Sequence, residues 1–259
     1  MDITFAMVAR TSSARTRQTA PLVHPPVLPV EQVRLWAEPM KLTSAAMNTN
    51  QEPQRFPASG AAPCYVAALF VQPDGCYAGW PWIDAWDKER DARNYHGPFP
   101  VVAHPPCQLW GAMANVNFAR WGGEHNRPGN DGGCFAAALA AVNRWGGVLE
   151  HPAKTRAWAA HGLGKPTGTG WQRSGLGWVC EVWQSAYGHR ANKATWLYYY
   201  GHRKPLELRW ERPVGTHQIG FHDQRGPEKN KPTLGKREAN ATPLEFRDEL
   251  LRLALHSAT

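Results

Sequence analysis

Acidic residues are in short supply. Twenty-nine Lys and Arg stand against 21 Asp and Glu, a formal charge of +8. That imbalance favours a polyanionic partner, nucleic acid foremost, although it speaks to association and not to fold. Cysteine is sparse as well. The five residues, at positions 64, 76, 107, 134 and 180, include no Cys-x-x-Cys pair. An odd number without paired spacing argues against a disulfide framework and against a zinc site of ordinary spacing. Reduced thiols suit an intracellular, cytoplasmic protein. No apolar run approaches the roughly 20 residues that a membrane helix requires. The first residues lack the apolar core of a secretory signal. No internal repeat is present.

Aromatic residues, in contrast, are abundant: 13 Trp, 7 Tyr and 8 Phe. They can fill a core or offer flat faces to stacked bases. With 259 residues the chain can bury a substantial core. Residues 1–62 are rich in Ala, Thr, Ser, Pro and Gln, with no sustained periodicity beyond a short helical pattern near Val30–Met40. This composition predicts a disordered or loosely attached leader. A single α/β domain over residues 63–259 is expected to follow.

Tyr65–Val71 is an apolar run that ends in Gln72-Pro73-Asp74-Gly75, which reads as a buried strand and a turn. The polar and aromatic stretch from Trp80 to Gly97 suggests a short helix. Val101–His104 reads as a second strand. Residues 131–145 carry Cys134, Phe135, Ala138, Leu139, Val142 and Trp145 on one helical face, with Asp131 as the cap and Gly146-Gly147 as the stop. Gly147–Pro152 is a further short strand. Strand, helix and strand in this order form a βαβ unit with parallel neighbours. Gly162–Gly177 reads as a loop, Trp178–Ala186 as helix or strand, and Ala194–Tyr200 as a strand. Residues 201–240 form a basic loop region, with nine Lys or Arg between Gly201 and Arg237, suited to contact nucleic acid. The chain closes in a helix with Thr242 as cap, Pro243 at the first position and Glu245 completing a capping box.

The chemistry concentrates at Pro105-Pro106-Cys107-Gln108. A strand ends there in two residues of fixed φ, which hold a thiol at the edge of the sheet where α/β folds bind ligands. Glu150 ends the next strand of the unit and so lies at the same edge. A thiol paired with a carboxylic acid suits covalent addition to an electron-poor ring. A buried, inert cysteine and a solvated glutamate are the plainer alternative. His104, His151, His161, His189 and His202 include no helix-spaced metal pair and read as ordinary hydrogen-bonded histidines. Among Trp80, Trp82, Trp86, Trp110, Trp121 and Trp145, expected as core or loop anchors, Trp110 is the one near enough to Cys107 to face a base.

Pro105-Pro106-Cys107-Gln108 resembles the Pro-Cys-Gln catalytic loop of the DNA cytosine-C5 methyltransferases. Val148-Leu149-Glu150-His151-Pro152 is similar to that family's Glu-Asn-Val strand end, with His151 where Asn is usual. Tyr187–Lys193 resembles the segment carrying Gln-x-Arg-x-Arg, with Lys193 at the first Arg and Ala191 and Thr195 at the other two positions. These short pieces span roughly residues 64–255. The resemblance implies a Rossmann-like, class I methyltransferase sheet with flanking helices and a compressed N-terminal half. About 35 residues separate the first strand from Cys107. It implies Cys107 as nucleophile toward cytosine C6 and Glu150 as the group engaging the far side of the ring. Pro106, Gln108 and Lys193 would contact a base flipped out of DNA. S-adenosylmethionine is the implied methyl donor. The family's Phe-x-Gly-x-Gly cofactor loop is missing, and Phe70, Asp74, Gly75 and Asp84 are the residues expected in its place, with Asp87 a further candidate for the ribose. The compact size would suit a phage enzyme. A different donor for C5, or a non-catalytic nucleic-acid-binding module, are the alternatives.

Overall fold

The computed structural model describes residues 65–220 and 230–258. The expected leader and its short helix, together with Cys64, Arg225 and Lys229, lie outside the described residues. Among those described, seven strands form one mixed sheet. They are β1 (Val66–Leu69), β2 (Ile83–Trp86), β3 (Val101–Ala103), β4 (Gly147–Pro152), β5 (Gln172–Ser174), β6 (Gly177–Trp183) and β7 (Ala194–Tyr200). Their order across the sheet is β2-β1-β3-β4-β7-β6-β5. The first four in that row are parallel. Strand β7 runs against β4, β6 against β7, and β5 against β6. Five helices accompany the sheet: α1 (Ala114–Trp121), α2 (Cys134–Trp145), α3 (Ala157–Ala160), α4 (Lys236–Asn240) and α5 (Leu244–Ser257).

Successive residues of a strand face opposite sides, and both sides of this sheet are covered. Val66, Ala68, Val102, Val148 and Leu197 form one core with Phe246, Leu250 and Leu253 of α5. Ala67, Leu69, Val101, Ala103 and Leu149 form the other, with Phe135, Ala138 and Val142 of α2 and Trp158 of α3. This double burial explains why β1, β3 and β4 read as continuous apolar runs. The helix expected over 131–145 starts at Cys134, and Asp131 serves its first turn from outside. One carboxylate oxygen accepts from the Phe135 amide at 2.9 Å and the other from the Gly133 amide at 3.0 Å. Gly146, at φ 79°, ends the helix.

Several expectations are corrected. The stretch expected as a helix between Trp80 and Gly97 contains strand β2 and a single 3-10 turn at Ala92–Asn94. β2 lies on the outside of the sheet, and only Ile83 is fully buried, so its residues are largely polar or aromatic. The presumed loop at 162–177 contains β5, which pairs with β6 as a hairpin. Thr242 does not cap the final helix. Pro243 occupies the cap position with no side-chain hydrogen bond, and Glu245 instead pairs with Arg209 at 2.8 Å. The basic region 201–240 is not all loop, since it ends in α4. Among the described residues no helix is long and apolar enough to cross a membrane.

From β1 the chain moves outward to β2. It then returns across β1 to add β3 and β4 on the far side. The reversal opens a crevice outside the carboxyl ends of β1 and β3, the place where open α/β sheets bind ligands.

Candidate active site

Strand β3 ends at Ala103, and the His104 amide still bonds to the Leu69 carbonyl of β1 at 3.0 Å. Pro105 and Pro106 then turn the chain. The carbonyl of Cys107 closes the next turn by accepting the Trp110 amide at 3.0 Å. Glu150 sits on the adjacent parallel strand β4. Because β7 is antiparallel to β4, its first residues return to the same edge, and Ala153 bonds to the Ala194 carbonyl there at 3.0 Å. Lys193, one residue earlier, is thereby brought beside Cys107 and Glu150. Its ammonium donates to the main-chain carbonyls of Asn240 and Ala241, at 3.4 and 3.3 Å, at the C-terminal end of α4.

Both oxygens of Glu150 are tethered. His104 Nδ1 lies 2.9 Å from Oε2, and Gln184 Nε2 donates to Oε1 at 3.2 Å. Gln184 also donates to Thr195 Oγ1 at 3.0 Å and is fully buried. Behind His104, the Tyr77 hydroxyl lies 2.9 Å from Nε2. The sequence singled out neither Tyr77 nor Gln184, and read His104 as an ordinary histidine. His104 was recoverable, being the residue that leaves β3 three positions before Cys107. Tyr77 reaches the site from a turn that carries no periodic signal, and Gln184 from the 3-10 turn that directly follows β6.

These groups set one another's ionisation. Burial pushes the Cys107 thiol up, the Glu150 charge adds to this, and the Lys193 charge works against it. Burial also raises the Glu150 carboxyl, but the His104 hydrogen bond and charge, with Lys193, outweigh it and leave it below the usual range. Burial lowers Lys193, while Glu150 and Cys107 oppose the fall. The resting site therefore holds a thiol beside a carboxylate. Glu150→Gln removes the neighbouring negative charge, so alkylation of Cys107 by iodoacetamide at pH 8, followed peptide by peptide in a mass spectrometer, is expected to quicken several-fold. Lys193→Ala is expected to slow it.

His151, beside Glu150 on β4, is wholly buried among Phe135 and Trp158, with the Pro106 carbonyl as a polar neighbour of its ring. Burial pulls it down to about 4, against the opposing Glu150 charge and Pro106 carbonyl. The unfolded chain therefore binds this proton first as pH falls, and the native state loses stability between its ordinary 6.5 and about 4. The loss amounts to about 3 kcal/mol at 1.36 kcal/mol per pH unit. Urea unfolding across that window should show a shallower acid slope in His151→Asn than in the wild type.

On the other side of Pro106 lies a cleft of about 390 Å³, lined by Phe70, Val71, Asp87, Lys88, Asp91, Ala92, Arg93 and Cys134. Of the residues expected to bind a cofactor, Phe70 and the further ribose candidate Asp87 line it, and Asp74, Gly75 and Asp84 do not. Asp74 instead pairs with Arg237 at 2.8 Å, Gly75 closes its turn on Gln72, and Asp84 is held by Arg90 and the Trp86 indole. Two acids line the cleft: Asp87, the first residue beyond β2, and Asp91. Phe70, Asp91 and Lys154, the non-glycine residues of positive φ among those described, all lie at this edge of the sheet. Backbone strain of this kind, about 1–3 kcal/mol each, gathers at functional sites.

One further expectation changes. Trp110 is not free to face a base: it is buried, donates to Asp131 at 2.8 Å and packs on Phe135 and His161. In the basic region, Arg209, Arg212 and Arg237 are engaged by Glu245, Glu181 and Asp74. Gln108 is exposed just past Cys107. In comparison with known proteins, no family model matches the chain and no curated protein is similar to it.

Proposed function

We propose that the chain modifies a pyrimidine base by covalent addition, and that in its leading form it is an S-adenosylmethionine-dependent DNA cytosine-C5 methyltransferase. The observation that carries this reading is the convergence of Cys107, Glu150 and Lys193 at the carboxyl edge of β3 and β4, close enough to shift one another's ionisation. The Cys107 thiol loses its proton to solvent, the thiolate sulfur bonds to C6 as Glu150 gives a proton to N3, and the C5=C6 electron pair becomes available at C5. C5 attacks the electrophile. Loss of the C5 proton to a base and departure of the sulfur then restore the ring. The flipped base occupies the mouth formed by Pro106, Gln108 and Lys193.

The sheet is compatible with a Rossmann-like methyltransferase whose N-terminal half is compressed. The cleft beside Pro106 falls at the lower end of the roughly 300–1,000 Å³ typical of small-ligand sites. Its lining suits a nucleoside with a charged amino-acid tail. Phe70 would face the adenine, and Lys88 the tail carboxylate. Asp87, whose Oδ1 already accepts the Glu89 and Arg90 amides, would offer its other oxygen to the ribose. S-adenosylmethionine bound there supplies an electrophilic methyl group. The surplus of cationic side chains suits a DNA partner.

The test is incubation with methyl-labelled S-adenosylmethionine and mixed-sequence duplex DNA, then nucleoside analysis by mass spectrometry. The expected product is 5-methylcytosine. Another C5 substituent in DNA from expressing cells would keep the Cys107 chemistry and replace the donor. Absence of any modified pyrimidine in both experiments overturns the reading.

A further inference from the structure

We propose that His104, braced by Tyr77, is the positioning residue of Glu150: it fixes the carboxyl in the site and holds the proton that Glu150 passes to the ring nitrogen of the base. This rests on the reading of Cys107 and Glu150 as a base-addition site.

The need for such a partner follows from the chemistry. Addition of sulfur at C6 puts negative charge into the ring, and N3 must take up a proton for the adduct to form. An ionised carboxylate has none to give. Glu150 rests as a carboxylate, as described above. The group hydrogen-bonded to its Oε2 is His104 Nδ1, at 2.9 Å. The groups facing the carboxyl from the packed elements are His104 on the loop after β3, Gln184 after β6, Lys193 before β7, His151 on β4 itself, and the Cys107 thiol. Lys193 is turned to the carbonyls of Asn240 and Ala241, and His151 stays neutral in its apolar pocket. Gln184 has no titrating proton. His104 is the member of this set joined to the carboxyl by a hydrogen bond and able to give up a proton.

The transfer balances. An imidazolium with its Nε2 proton directed to the Tyr77 oxygen and its Nδ1 proton directed to Glu150 becomes a neutral imidazole protonated at Nε2. Glu150 becomes the acid, and N3 receives the proton as the S–C6 bond forms. When C5 loses its hydrogen and the sulfur departs, the proton on N3 returns through Glu150 to Nδ1. Tyr77 suits the far end of this chain because burial holds its phenol neutral, leaving its oxygen to accept from Nε2. The carboxyl itself cannot swing away, since Gln184 retains Oε1.

His104→Asn keeps a nitrogen near the place of Nδ1 and removes the titrating proton. The rate of tritium release from duplex DNA carrying 5-tritiated cytosine reads addition at C6 without requiring methyl transfer. His104→Asn is expected to run about 10²–10⁴-fold slower, the range for a general acid. Glu150→Gln should be equally slow, and the double variant no slower than either. Tyr77→Phe, a milder change, should lose rate several-fold. In the protein without DNA, carbon-13 NMR of the Glu150 carboxyl should show its titration moving upward in His104→Asn. Tritium release by His104→Asn at the wild-type rate, or a Glu150 titration that does not move, overturns the role of His104. No release by the wild type overturns the base-addition reading itself, a separate result.

Discussion

Cys107→Ala is expected to abolish tritium release and methyl incorporation together while leaving the protein folded. Removing an enzymatic nucleophile costs on the order of a million-fold in rate. The substitution deletes one sulfur from a half-buried position on a loop, so its cost to folding should be small and the unfolding midpoint nearly unchanged. Cys107→Ser is the sharper comparison. The hydroxyl occupies nearly the same space, but it ionises far less readily than a thiol and is a much weaker nucleophile, so it too should fall to background. In the wild type, burial pushes the thiol upward, and the rate of addition should climb with pH as thiolate forms. Unmodified bases in wild type and both variants alike would mean that Cys107 does no covalent work.

Gly147→Ala is expected to cost more than about 4 kcal/mol, the range reserved for severe backbone or core conflicts. Gly147 opens β4 at φ 123°, a value that residues with a Cβ rarely adopt. An added Cβ would lie 1.9 Å from the Val101 carbonyl oxygen and 2.6 Å from its nitrogen. Both are main-chain atoms of β3, the strand paired with β4, so no side chain can move aside. Relief requires β3 and β4 to separate, and these strands carry Cys107 and Glu150. Urea unfolding should show the loss, and any folded remainder should have lost the site. Gly175→Ala is the control. It too has a positive φ, but nothing lies within 4 Å of its would-be Cβ, so only backbone strain of about 1–2 kcal/mol is expected. Equal costs at the two positions would mean that strand approach is not what Gly147 serves.

The parts of the fold that were legible are those where sequence pattern and burial agree. Val66–Leu69, Val101–Ala103 and Gly147–Leu149 are covered on both faces, and each reads as an apolar run. Two such runs on either side of the helix at Cys134–Trp145 place Cys107 and Glu150 at one edge. β2 was illegible because it lies outside β1 and mixes Asp84 with Trp86. Missing it spread the expected ribose carboxylates over Asp74, Asp84 and Asp87, of which only Asp87, the one following the strand, lines the cleft. Helix α1 was illegible for a related reason: Ala114 is its one buried residue, so no apolar stripe marks it. Tyr77 reaches His104 across 27 residues of sequence, and side-chain pairs of that separation leave no local trace.

The moorings of the Lys193 ammonium are peptide oxygens. Replacing the side chain of Asn240 or Ala241 by almost any other would leave those oxygens in place. What secures this cation is the path of the backbone as it leaves α4. A substitution elsewhere that bends this path, such as a proline that breaks the short helix, would alter the charge beside Cys107 without touching any residue of the site.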